Sequence, residues 1–335
     1  MTVDLRTTYL GLDLSCPVVP SASPIGRNLD LLRRAVAAGA GAVVLPSLFE
    51  EQVRDDAVEL QRLLHQGAGT FVEAATYFPE VGEYRTGPTP YLRHLEAAVE
   101  ALEVPVIASL NGTSPGGWTR YARAQQDAGA SAIELNTYSV AADPSDTSAD
   151  LERRLLELVA EVCAAVSVPV AVKLSPSYTA LAHLAQQLVA AGASGLVLFN
   201  RFLQPDIDLD ALDIVDEAHL SHPGDLLTPL RWCALLRPRL GCSLALTSGV
   251  HDGDAVTKAI LVGADVAMSA SALLRHGPEY VGVLREGLEH RLTEHGYVSV
   301  AQARGALSAG NAPDPDAFER THYVQALTRY RADDL

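Results

Sequence analysis

The stretch Thr247 to Ser271, TSGVHDGDAVTKAILVGADVAMSAS, reads as a strand end, a glycine turn, a helix, a glycine cap and a second strand closing on small residues. Gly249 and the turn Asp252-Gly253-Asp254 open the helix, whose first backbone N–H groups have no partner inside it. A helix start of that kind suits an anion, a phosphate above all. Gly263-Ala264-Asp265 then leads into the strand that ends Ser269-Ala270-Ser271, where no bulky side chain blocks a ligand. Two neighbouring strand ends lined by glycine, alanine and serine are what the phosphate site late in an α/β barrel requires.

The rest of the chain repeats this construction in two alternating forms. In one form a helix ends in a glycine cap and runs into an apolar strand. It occurs at Ala38-Gly39-Ala40 before AVVLP, at Ala128-Gly129-Ala130 before AIELN, at Ala191-Gly192-Ala193 before GLVLFN and at Val262-Gly263-Ala264 before ADVAMSA. Glycine there takes the left-handed conformation that reverses the chain. In the other form a proline opens the strand, as in CPVVPSAS from Cys16, VPVIASLN from Val104 and VPVAVKLS from Val168; CSLALTSG from Cys242 is a fourth member without the proline. Proline fits the first residue of a strand but not its middle. Amphipathic stretches such as Leu29–Ala38, Ala149–Val166 and Thr179–Ala191 lie between the strands. Eight short apolar strands alternating with helices predict an α/β fold, a (β/α)₈ TIM barrel in a single domain, over an open doubly wound sheet.

Three segments stand outside the repeat: about 66–90, rich in Gly, Pro and aromatic residues; 137–149, a polar loop; and 201–228, which carries Asp206, Asp208, Asp210, Asp213 and Asp216. The aspartates lack the spacing and closing Glu of a calcium loop and read as solvated surface. The second and third follow strands and belong to the face that carries function in barrels. The expected organisation is a barrel over 1–296 with these insertions, then a helical extension over 297–335 with helices near Ala301–Leu307 and Asp316–Tyr330.

Composition narrows the partners. Of 335 residues 48% are hydrophobic, enough for a large core, and 41 acidic against 25 basic residues give a net charge of −16. That balance argues against nucleic acid or an anionic membrane as partner. Cys16, Cys163, Cys233 and Cys242 are scattered without the spacing of a zinc or iron–sulfur site, so no metal is expected. No signal peptide or bilayer-spanning run is read, and reduced thiols in the cytoplasm are the simplest expectation.

The C-terminal strand ends are polar for buried strands. One ends Ser109-Leu110-Asn111, the next Glu134-Leu135-Asn136, then Lys173-Leu174-Ser175 and Phe199-Asn200. Alternation puts Ser109 with Asn111, Glu134 with Asn136 and Ala171 with Lys173 on common faces. A lysine inside a barrel must be paired, neutral or facing a ligand. Glu134 on the neighbouring strand is the structural partner. Two functions compete beside it: a Schiff base on a phosphorylated carbonyl compound, or a fixed positive charge that stabilises a reduced flavin. Amides at several strand ends suit a flat heterocycle of alternating donors and acceptors and favour the flavin.

These motifs, VPVIASLNG, AIELN, VAVKLSP, the Asn200 strand end and TSGVHDGDAV with GADVAMSASALLRHGP, resemble the dihydroorotate dehydrogenase family of FMN-dependent barrels from about Leu10 to about Gly296. The resemblance implies FMN, its phosphate on the backbone around Ser248-Gly249 and Ala270-Ser271, Ser21 and Ala22 approaching the ring, and Lys173 beside it. It places Ser109, Asn136 and Asn200 at the flavin or substrate, and Asn111, Asn136, Asn200 and Arg201 on the substrate side. It implies oxidation of dihydroorotate to orotate in pyrimidine biosynthesis, with Ser139 or Tyr138 as the base, in a soluble protein that is often a homodimer. The pattern departs at Pro46, where a substrate-contacting lysine is expected, at Ala141 for an asparagine, at Arg201 for a small hydroxyl residue and at Ser248 for a glycine. The cofactor half is thus better kept than the substrate half. Three readings follow: an FMN oxidoreductase on dihydroorotate or on another substrate, a flavin-free Schiff-base lyase using Lys173, and a non-catalytic flavoprotein or a subunit whose partner supplies the chemistry.

Overall fold

The computed structural model describes residues 2–49, 88–111, 115–138, 140–201, 206–215, 219–312, 314, 323–325 and 328. Its strands in chain order are β1 (Thr7–Tyr9), β2 (Leu12–Leu14), β3 (Val18–Pro20), β4 (Val43–Phe49), β5 (Val106–Asn111), β6 (Ala132–Asn136), β7 (Val170–Leu174), β8 (Gly195–Leu198), β9 (Asp206–Asp208), β10 (Asp213–Val215), β11 (Ser243–Thr247) and β12 (Val266–Ser269). Eight of these form one parallel sheet in the order β3-β12-β11-β8-β7-β6-β5-β4. The two ends of that order are consecutive in the chain. Gly41 N donates to Val18 O at 3.0 Å across the seam. A Cβ at Gly41 would lie 1.9 Å from the Cys16 carbonyl oxygen, so only glycine permits this approach. The sheet is that of a (β/α)₈ barrel.

The expected helices are present with small shifts, at α1 (Leu29–Ala37), α2 (Pro88–Ala101), α3 (Pro115–Asp127), α4 (Ser148–Ala165), α5 (Leu181–Ala190), α6 (Leu227–Leu236) and α7 (Gly253–Val262). The four glycines read as caps, Gly39, Gly129, Gly192 and Gly263, all have positive φ, from 92° to 114°. Asn28, Thr147 and Asp252 cap α1, α4 and α7 through their side chains. Two further helices follow the last strand, α8 (Ser271–His276) and α9 (Tyr280–Glu294). Beyond them, the helix expected near Ala301–Leu307 is only the turn α10 (Val300–Ala303), because Gly305 at φ 78° stops it. The stretch 316–330 lies almost wholly outside the described residues, as does most of the insertion 66–90.

The N-terminal β1–β2 hairpin is not anticipated by the barrel repeat. It turns at Leu10-Gly11, both at positive φ. Its Tyr9, Leu10 and Leu14 are buried in one cluster with Val19, Val44, Ile107, Val197 and Met268 from the barrel strands. The hairpin therefore plugs the end of the barrel opposite the strand C-termini. Leu10 N donates to Ser243 Oγ at 2.9 Å and Thr7 Oγ1 to the Asp265 carbonyl at 3.0 Å. Asp265 is itself buried and takes Arg237 at 3.1 Å and Arg304 at 2.6 Å, which ties the chain after α10 to the same end. With that end closed by apolar packing, polar interior residues collect at the other.

Candidate active site

Side-chain alternation carries through the barrel as the sequence predicts. Ile107, Ala132 and Ala171 pack in the interior cluster, so Ser109 and Asn111, Glu134 and Asn136, and Lys173 face inward nearer the C-terminal rim. β4 joins them by an irregularity. The register of β4 on β5 slips between Val44 and Ser47, around Pro46, and Ser47 then pairs with Ser109. A mid-strand proline removes a ladder donor, and the bulge it causes re-aims the next side chain. Ser47 Oγ lies 2.8 Å from Ser109 Oγ. Asn136 Nδ2 donates to Ser47 Oγ at 3.2 Å, and Asn200 Nδ2 to Asn136 Oδ1 at 2.5 Å. One polar chain thus crosses the rim through Asn200, Asn136, Ser47 and Ser109. Tyr91 and Gln125 donate to the Ser109 carbonyl at 3.2 and 3.0 Å and hold that end in place.

Lys173 is paired. Its Nζ lies 3.2 Å from Glu134 Oε1, with the two side chains 9% and 1% exposed. Glu134 Oε2 is buried without a hydrogen-bond partner among the described residues. A buried carboxylate oxygen in that condition is uncommon and marks a place built for a further donor. The same carboxylate adds to burial in pushing the Tyr9 phenol well above its ordinary range. Thr137 Oγ1 donates to the Lys173 carbonyl at 2.8 Å, anchoring the start of the loop after β6.

Beside Lys173 a cleft opens on the rim. Ser21, Ala22, Lys173, Asn200, Arg201, Ser248, Gly249, Ala270 and Ser271 line it, joined by Phe199, Ser221, Thr247, Val250, Met268 and Ser269. The Ser248-Gly249 turn in its wall is held in an unusual conformation, with Ser248 at φ 74° and Gly249 at φ 73°. A Cβ on Gly249 would stand 2.3 Å from Leu226 N, so the position accepts glycine alone.

The helix start that the sequence singles out for an anion proves to be occupied by the protein itself. The Asp252 carboxylate accepts from Ala255 N at 2.8 Å, Asp254 pairs with Arg291 at 2.6 Å, and Gly253 is buried against Gly287. The Ser248-Gly249 turn and the start of α8, where the resemblance puts the phosphate, both line the cleft. Ala270 supplies no side-chain cap there. Ser269 Oγ donates to the Val250 carbonyl at 2.8 Å, and Ser221 N to Ser271 Oγ at 2.9 Å.

The remaining predicted residues divide clearly. Ser109 and Asn136 belong to the polar chain and do not line the cleft. Asn111 is buried at the end of β5. Arg201 is exposed, and its guanidinium donates to the His219 carbonyl at 2.6 Å. Tyr138 is 39% exposed and its N donates to the Asn136 carbonyl; Ser139 lies outside the described residues. Sequence reading missed Ser47, whose signal was the mid-strand Pro46, and Ser221, which comes from a long loop whose path no local pattern encodes.

No protein-family model matches the chain. Among curated proteins it is 26% identical over 309 residues to dihydroorotate dehydrogenase B (NAD(+)), catalytic subunit, of Methanothermobacter thermautotrophicus, which covers 90% of this chain and 97% of the relative. It is 25% identical over 302 residues to the protein of the same name in Listeria monocytogenes, covering 88% of this chain and 95% of the relative. It is 24% identical over 344 residues to the NAD-dependent dihydropyrimidine dehydrogenase subunit PreA of Escherichia coli, covering 97% and 81%. The resemblance read from the motifs therefore runs along nearly the whole chain. Among the described residues no helix is long and apolar enough to cross a membrane.

Proposed function

We propose that this chain, a relative of the dihydroorotate dehydrogenase family, is an FMN-dependent oxidoreductase acting on a CH–CH bond, with dihydroorotate as its first candidate substrate. The observation that carries the reading is Lys173, held by Glu134 inside the barrel while lining one cleft with the Ser248-Gly249 turn and Ala270-Ser271. Cofactor and site assignments fit this donor set. The backbone and hydroxyls at Ser248, Gly249, Ala270 and Ser271 would hold the phosphate, Ser21 and Ala22 would flank the ring, and Asn200, fixed by Asn136, would present its amide. FMN, when bound, accepts the hydride that leaves the substrate carbon. Lys173 supplies a fixed positive charge where negative charge then develops, in a site with little water to screen it. Tyr138 or Ser139, on the loop after β6, takes the proton from the neighbouring carbon.

The Lys173–Glu134 pair weighs against the lyase reading, since a paired ammonium lacks the lone pair a Schiff base needs. A second reading keeps the flavin and changes the substrate. Pro46 puts no polar group where a substrate-contacting lysine is expected, Ala141 is exposed, and a relative is named for dihydropyrimidines. One experiment separates the readings. The purified protein should be yellow with bound FMN, and anaerobic mixing with dihydroorotate should bleach the flavin band. A yellow protein that stays oxidised with dihydroorotate but bleaches with a dihydropyrimidine moves the substrate. A protein with no affinity for FMN refutes the assignment.

The homodimer expected from the resemblance has a candidate face. The β9–β10 hairpin pairs Ile207 with Ile214, and Ile207, Leu209, Leu212 and Ile214 are all at least 63% exposed. A two-stranded hairpin with uncovered aliphatic side chains is marginal by itself and favours being covered.

A further inference from the structure

We propose that Ser221 and His251 form a side-chain arm of the phosphate end of the cleft and make the protein select a phosphorylated flavin over its unphosphorylated form. The inference rests on the FMN reading and deepens it, because nothing in that reading assigns either residue.

Ser221 is 4% exposed and lines the cleft beside Ser271. Its N donates to Ser271 Oγ at 2.9 Å, and its own Oγ lies 2.9 Å from His251 Nε2. Ser271 Oγ is used as an acceptor, which leaves its O–H able to donate into the cleft. Ser221 is in the same condition whenever His251 keeps a proton on Nε2 and donates to Ser221 Oγ. Ser269, by contrast, has its O–H on the Val250 carbonyl at 2.8 Å and has no proton to offer. In that tautomer two buried hydroxyls converge with their acceptor sides occupied by the protein and their donor sides open among the described residues. That arrangement suits an acceptor-only ligand such as a phosphomonoester, and hydrogen bonds to a charged acceptor are the strong ones.

The charges around the imidazole agree. Arg275 and His222 act on His251 from one side of the balance and Asp252 from the other. The Asp252 carboxylate is held on Ala255 N at 2.8 Å. The His251 ring is shifted below its ordinary value, by burial first and by Arg275 second, so it is neutral near pH 7 and can direct its single proton to either nitrogen. A dianion at the Ser221 hydroxyl favours the proton on Nε2. His251 is thus a positioning residue acting through Ser221, and Ser221 is the ligand-touching one. The competing role for the pair is to fasten the loop before α6 to the barrel.

Equilibrium binding of FMN and of riboflavin to the full-length protein and its variants separates these roles. Ser221→Ala and His251→Phe are each expected to weaken FMN about tenfold, the loss of one hydrogen bond to a charged group, while riboflavin affinity changes less than about twofold. His251→Gln, whose amide can still donate to Ser221, restores most of the FMN affinity. Riboflavin binding reports that each variant is folded. Equal losses for both flavins, or unchanged FMN affinity in Ser221→Ala, overturn the inference, as does a wild-type protein that binds the two flavins equally well. A wild-type protein that binds neither flavin overturns the FMN reading itself and this inference with it.

Discussion

Replacing Lys173 by methionine tests whether its charge works in the reaction or only balances Glu134. The two side chains meet at 3.2 Å, 9% and 1% exposed, and Glu134 Oε2 already lacks a partner among the described residues. Lys173→Met therefore strands a buried carboxylate and should cost about 3–5 kcal/mol of stability. Adding Glu134→Gln removes the stranded charge while keeping shape. The double variant should return to within about 1–2 kcal/mol of the wild type, because neutral isosteres often replace a buried pair at little cost. Reduction of bound FMN by substrate should behave differently. Loss of a preorganised charge at the site of developing negative charge costs roughly 10²-fold or more in rate, and the double variant does not recover it. FMN affinity should fall much less than the rate in both variants. Urea denaturation measures the first quantity and anaerobic stopped-flow absorbance the second. A double variant that reduces flavin at the wild-type rate refutes the catalytic role of Lys173; one as unstable as the single variant refutes the pairing argument.

Three further outcomes are expected. Gly249→Ala places a Cβ 2.3 Å from Leu226 N at a φ of 73°, so it should lose more than about 2 kcal/mol in thermal or urea unfolding and abolish FMN retention. Burial pushes the Cys16 and Cys242 thiols up to about 11. Because the folded values are raised, the stability they contribute is complete below the unfolded thiol range near 8.5 and drains away as pH rises towards 11. Native protein at pH 8 should accordingly resist alkylation at both cysteines, and urea midpoints should fall between pH 8.5 and 10.5; rapid labelling of the folded protein at pH 8 contradicts this. Ile207→Asp with Ile214→Asp should convert a dimer into a monomer by light scattering without lowering the melting temperature of the barrel, since both side chains are at least 63% exposed. An unchanged mass excludes the hairpin as the dimer face.

Much of the molecule was legible in the chain because its signals are local. The glycine caps, the prolines that open strands and the helical periodicity each act over a few residues, and they located the barrel strands and the helices around them. Alternation along a strand is equally local, so the inward positions of Ser109, Glu134, Asn136 and Lys173 followed from the chain alone. The Asp252-Gly253 helix start shows the limit of such reading. It has the composition of an anion site, yet Asp254 is paired with Arg291 and Gly253 is packed against Gly287. Only neighbours distant in sequence reveal that.

The sequence by itself determined the barrel, the rim on which function sits and the residue types offered there, because backbone propensity and side-chain alternation are written in consecutive positions. The tertiary structure decided which of those residues meet. It joined Asn200, Asn136, Ser47 and Ser109 into one polar chain through a bulge at Pro46, set Lys173 on Glu134, and packed the start of α7 against Gly287 and Arg291 while leaving Ser248, Gly249, Ala270 and Ser271 on the cleft. It also brought Ser221 to that cleft from a separate loop. Those pairings depend on strand register and on loops crossing the rim, and both are settled by packing between segments that no local pattern connects.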